Sequence, residues 1–322
     1  MELAHYHLLL NHWPIIGTFI AVGLLLVALA SRSDDLKQVT LTLFAFLSLI
    51  ALPAFVSGHI AEDLLGDREG VSEPLMAEHQ GAAVVGLIAL SLTGAFAWVA
   101  LWQYRRAGHP KRWTMNAVLV SSIVTIGVMT VTGNTGGAIR HPEILSGEPT
   151  TSMVSAVGRQ VNDAIVYVVT GSNRWIWPML EVFHFIGLAL LLGATGVVNL
   201  RLLGAFKNMP AAPFHRFLPW GLAGLAINVF TGMLFFLGMP YFYVYNADFL
   251  LKVVAIVLAG ATLLLHCTSA FRDCERLEAG QDAPASAKLL AAASIFLWIA
   301  VIVFGRFMPL FEDSVDPRFT SL

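Results

Sequence analysis

The sequence predicts an all-α integral membrane protein of eight transmembrane helices, arranged as two four-helix bundles with both termini outside. Three observations predict it. The 322-residue chain is 57% hydrophobic and only 12% charged, with a mean hydropathy of +0.73, so its composition suits a bilayer and not water. Apolar runs of the length a span requires, roughly 20 residues at about 1.5 Å each, recur eight times. The basic residues sort onto alternate connections: 32–38, 103–113, 201–216 and 271–288 hold 2, 4, 3 and 3 of the 19 lysines and arginines. That bias makes these four connections cytoplasmic.

The spans are expected at 14–31, 39–61, 76–102, 114–133, 177–200, 217–239, 247–270 and 288–308. The N-terminus has no basic leader or small-residue cleavage site, so 14–31 reads as a retained span and not as a signal peptide. Pro14, Pro74, Pro178 and Pro219 stand where helices begin, where the missing N–H costs nothing, and Pro53 is expected to kink the second span. Trp13, Trp175 and Trp177 suit an outer interfacial belt. The expected domains are an N-terminal bundle over 1–145, a periplasmic or interfacial connector over 146–175, and a C-terminal bundle over 176–322. Within the connector, Val157, Val161, Ile165 and Val168 recur at helical spacing, which predicts an amphipathic helix over 152–169, with a β-hairpin as the alternative. Each half opens with an outer histidine, His12 or His184, and carries a small-residue pair at the outer end of its second helix, Ser57-Gly58 or Thr231-Gly232.

Composition also excludes functions. No basic patch suits nucleic acid, and no C-x-x-C-H occurs to attach a c-type haem. Cys267 and Cys274 fall at the cytoplasmic end of the seventh span, where a structural disulfide is not expected.

Histidine carries the functional signal. Seven of the ten, His5, His7, His12, His59, His79, His141 and His184, fall on the outer side. His12 precedes the first span, His59 ends the second, His79 opens the third and His141 follows the fourth, so four helices bring imidazoles to one depth. Axial imidazoles from facing helices hold a b-type haem. A copper site would add a carboxylate such as Glu62 or Glu78. The plain alternative is that interfacial histidines bond loop carbonyls. Candidate ligands are a pair from His12, His79 and His141, with His59 as alternative, His7 as a possible ligand from a lid, and His184 as a separate candidate. Arg140, in "TGGAIRHPEI", is the candidate partner for a haem propionate. Glu181 and Lys252 reach similar depth and are expected to pair.

The stretches "HLLLNHWPIIG", "PAFVSGHIAEDL", "GVSEPLMAEHQGAA" and "TGGAIRHPEI" resemble a group of uncharacterised bacterial four-helix inner-membrane proteins over residues 5–145. His7, Asn11, His12, Pro14, Gly17, His79 and His141 fall on that pattern, whereas His59 and Gln80 stand where it carries glutamates. The second half, with "LEVFHFIGLALLLGATGVVNLRLLG", resembles another uncharacterised membrane domain with an E-x-x-H-x-x-G helix. Both are similar in plan to cytochrome b-like bundles. The expected function is therefore an electron-transfer subunit with haem b near the periplasmic face of a bacterial inner membrane. Its partners would be other membrane subunits and a periplasmic cytochrome or cupredoxin. The alternatives are a copper-handling membrane protein and a structural subunit of a respiratory or photosynthetic complex.

Overall fold

The computed structural model describes residues 2–66, 71–141, 152–171, 173–268 and 272–308. These form α1 (Glu2–Leu10), α2 (His12–Ala30), α3 (Asp34–Leu65), α4 (Glu73–Ala107), α5 (Arg112–Arg140), α6 (Met153–Thr170), α7 (Ile176–Leu202), α8 (Ala212–His215), α9 (Leu218–Gly238), α10 (Pro240–Val244), α11 (Ala247–Cys267), α12 (Arg272–Glu275) and α13 (Ala285–Phe307). Eight of the helical stretches are long and apolar enough to cross a membrane, and each coincides with an expected span. No strand occurs among the described residues. The fold is an all-α membrane architecture, as the composition predicts.

The chain divides into two compact units, residues 1–104 with 109–167, and residues 105–108 with 168–322. In the first, α3 runs through Pro53 without a break. Its start is set by Ser33, whose hydroxyl accepts the Leu36 N–H at 3.3 Å, with Asp34 and Asp35 in the first turn where the helix dipole favours acids. Neighbouring long helices run antiparallel. Tyr104 near the end of α4 donates to Asp34 at the start of α3, and His79 near the start of α4 meets Thr132 near the end of α5. A buried hydroxyl pair, Thr93–Thr125 at 2.9 Å, ties α4 to α5 at mid-height.

The connector forms a helix and not a hairpin, as its spacing of valines suggests. It docks on the beginning of α4: Gly81 and Gly158 meet backbone to backbone, leaving no room for a side chain on either. Glu78 accepts the Ser152 N–H at 3.1 Å and pairs with Arg159.

In the second unit, α7 and α9 cross where Gly187 faces Gly224. A Cβ on Gly224 would stand 2.6 Å from the Leu191 backbone nitrogen. Thr262 donates to Ser294 at 3.0 Å between α11 and α13, and His266 bonds Asn199 at 3.0 Å between α11 and α7. Arg201 is buried and gathers the loop carbonyls of Met209 and Glu278 at 2.8 and 3.2 Å. The expected Glu181–Lys252 pair does not form. Glu181 instead accepts from Trp177 Nε1 on its own helix at 3.1 Å, and the Lys252 chain lies along Gly305 of α13, whose missing side chain makes room for it.

Candidate functional site

Three of the outer histidines sit in the same local construction. His7 of α1 places Nδ1 3.1 Å from the Ala54 carbonyl and 3.2 Å from Ser57 Oγ on α3. His79 of α4 places Nδ1 3.1 Å from the Thr132 carbonyl and 3.3 Å from Thr135 Oγ1 on α5. His184 of α7 places Nδ1 2.8 Å from Thr231 Oγ1 on α9. In each case the hydroxyl residue is followed by glycine, and the imidazole lies over it. A Cβ on Gly58 would come within 3.2 Å of the His7 ring, on Gly136 within 2.9 Å of the His79 ring, and on Gly232 within 3.8 Å of the His184 ring. A hydroxyl–glycine pair on one helix thus cradles an imidazole from the next.

The cradle decides the tautomer. Ser57 donates its proton back to Ala54 O at 2.8 Å, Thr135 to Val131 O at 3.0 Å, and Thr231 to Ile227 O at 2.7 Å. A hydroxyl whose proton is already committed can only accept, and so can a carbonyl. His7 and His79, each of which also faces a backbone carbonyl, therefore carry their hydrogen on Nδ1 and turn an Nε2 lone pair away from the cradle. Metal-ligating histidines are held in this way, with the other ring nitrogen donating to a fixed acceptor.

The first unit brings two such rings together. His7 and His79 meet edge to face with ring centres 6.4 Å apart. His59 is buried to 4% exposure, but its nitrogens are engaged. Nδ1 approaches Phe55 O at 3.3 Å, and the Gln80 amide reaches Nε2 at 3.5 Å. The amide nitrogen is a donor, so with Nδ1 bonded to the Phe55 carbonyl it faces the lone pair a ligand would need. His12, the first residue of α2, is exposed and bonds the Leu8 carbonyl at the end of α1. His141 is the exposed residue that closes α5, its N–H on Gly137 O. The Arg140 side chain lies outside the described residues, as does the 142–151 part of the loop. His184 belongs to the second unit, where its ring stands 6.0 Å from that of Phe235. Glu78, one expected carboxylate neighbour, is taken up by Arg159 and Ser152.

Matched against known protein families, curated proteins and solved structures, the chain has no match in any of the three. Function is therefore read from the site alone. Among the described residues no group of three or more His, Cys, Asp or Glu is placed to hold a metal ion. The donor set at His7 and His79 is two imidazoles, which suits a centre that brings its remaining ligands with it. His7 is prominent here though its depth in sequence gave no hint, because α1 is a separate short helix packed on α3. The hydroxyl–glycine pair alone would not have singled out the cradles, for it occurs eight times in the sequence and those at Ser57, Thr135 and Thr231 are the three that meet an outer histidine.

Proposed function

We propose that the protein is a b-type cytochrome-like electron-transfer subunit whose haem is held between α1 and α4 by His7 and His79. The observation that carries this reading is the pair of rings 6.4 Å apart, each locked by a facing helix into the tautomer that exposes Nε2. His7 and His79 would be the two residues that hold the group. Two imidazoles from the chain would suffice to hold a haem, whereas a bare tetrahedral or tetragonal ion would ask for three or four protein ligands. The porphyrin, when bound, supplies one-electron chemistry. The chain's part is to fix the two imidazoles, and the carbonyls of Ala54 and Thr132 raise their basicity by accepting the Nδ1 protons.

The basic connections support an outer-side site in a bacterial inner membrane, since both His7 and His79 lie at the ends of spans remote from them. Electron exchange with a periplasmic cytochrome or cupredoxin and with neighbouring membrane subunits follows from that placement. The test is a pyridine haemochrome assay with metal analysis on the purified protein. Haem b at about one per chain is expected. Copper in its place, or neither iron nor copper, would overturn the reading.

A further inference from the structure

Helix α6 presents three ridges along its length. Ser155, Gly158 and Val169 are buried, with Asn162 half-buried between them, and form the ridge by which the helix docks. Met153, Val157, Ala164 and Val168 are exposed, and their spacing of four, seven and four puts them on one side of the helix. Gln160, Asp163, Tyr167 and Thr170, spaced three, four and three apart, are exposed as the adjoining ridge. One exposed ridge is therefore wholly apolar, with Met153 83%, Val157 45% and Val168 49% exposed, and the other is polar.

The contacts of α6 fix its depth and its roll. In the first unit the docked ridge meets α4 at Gly81, inside the run of residues 76–102 that is expected to span. In the second unit Val169 lies against Gly238, the last residue of α9. Each contact is thus made near the end of a span, at the level where a bilayer gives way to water. Arg159 stands on the polar side of the docked ridge, and its partner Glu78 lies about one turn nearer the start of α4 than Gly81 does. The polar ridge consequently turns toward the end of α4, and the apolar ridge turns toward the middle of the span.

We propose that α6 is an in-plane membrane helix whose apolar ridge, Met153, Val157, Ala164 and Val168, is covered by phospholipid acyl chains. Gln160, Asp163, Tyr167 and Thr170 face water from the same helix. The apolar ridge points toward the level of Ile88 and Leu92, exposed apolar residues of α4 that a bilayer covers, so lipid reaches both surfaces together. A water-borne partner would approach from the polar side and meet the other ridge. Arg159, the one cation of α6, is held by Glu78, so the helix is drawn to acyl chains and not to headgroup charge. The proposal rests neither on the haem reading nor on which face of the membrane is outer.

The test uses the full-length protein with Cys267 and Cys274 replaced, in nanodiscs of phosphatidylcholine. Nitroxide labels are placed singly on cysteines substituted at Val157, Ala164 and Val168, and at Gln160, Asp163 and Thr170. All six side chains are exposed, so labelling leaves the docked ridge intact, which an unfolding midpoint equal to the parent's verifies. Collision with molecular oxygen, which concentrates among acyl chains, should exceed collision with a water-soluble nickel chelate severalfold at the first three positions. The order should reverse at the other three. Exchanging phosphatidylcholine for anionic phosphatidylglycerol should leave both patterns unchanged. The proposal is overturned if the nickel chelate dominates at all six positions, which would stand the helix in water. It is equally overturned if neither reagent reaches 157, 164 and 168, which would make the cover a protein surface such as a second copy of the chain. A pattern that needs anionic lipid would overturn the acyl-chain basis.

Discussion

An imidazole set against a backbone carbonyl has one choice of tautomer, made at His7 and His79, and a hydroxyl–glycine pair cradles these two rings and that of His184. The glycine beside each hydroxyl supplies the space, and its replacement grades the three sites. Alanine for glycine within a helix gains up to about 1 kcal/mol of propensity. At Gly232 the added methyl is in ordinary contact with His184, so Gly232→Ala should raise the unfolding midpoint or leave it alone. At Gly136 the methyl falls 2.9 Å from the His79 ring, and overpacking of about 1–3 kcal/mol outweighs the gain. Gly136→Ala should therefore lower both the midpoint and the haem content, and calorimetry on the two variants reads the difference directly. Outside the spans, Tyr243 offers a titration check. Burial first, and the nearby charge of Glu181 second, push its phenol up to about 12. A group raised above its unfolded value of about 10 contributes stability fully below that pH and loses it as pH rises through 12. Phenolate absorbance should thus include a late phase, and Tyr243→Phe should diminish it by one tyrosine.

Among the elements, the eight spans were legible because length and apolarity are all a bilayer demands. The second span begins earlier than its apolar run because the Ser33 cap extends the helix, whereas the seventh stops at Cys267, short of the expected 270. The connector helix was legible from its valines, but not its docking, which depends on Gly81 and Gly158 meeting backbone to backbone. Nor was the loss of the Glu181–Lys252 pair, since equal depth says nothing about azimuth: one side chain turned to Trp177 and the other to Gly305. The prominence of His7 over His12 has the same origin, because α1 aims His7 at α3 whereas His12 opens α2 with its side chain exposed. Two variants test the element contacts. Arg159→Ala removes the partner of the buried Glu78 carboxylate, and with the arginine side chain itself 35% exposed the cost should be about 1–3 kcal/mol. Limited proteolysis should then cut at 153–170 sooner than in the wild type. Gly224→Ala sets a methyl against the α7 backbone at Leu191, which cannot yield as a side chain can. It should destabilise the α7–α9 pair by about 2 kcal/mol or more, read as a lower unfolding midpoint than Gly193→Ala shows.

For the molecule as a whole, sidedness and redox role are the two properties that sequence and site chemistry support together. In a background with Cys267 and Cys274 replaced, a cysteine at Lys111 should react with an impermeant maleimide only from the cytoplasmic side, and one at Glu73 only from the periplasmic side. The reverse pattern would turn the imidazole pair inward and remove the periplasmic carrier from the account. The haem claim itself is tested most directly by the dithionite-reduced minus oxidised spectrum of the purified full-length protein and its histidine variants. The account predicts α and Soret bands of bis-imidazole haem, lost in His7→Ala and in His79→Ala and retained in His12→Ala and His59→Ala. A spectrum without those bands, or bands that survive both His7→Ala and His79→Ala, would contradict it.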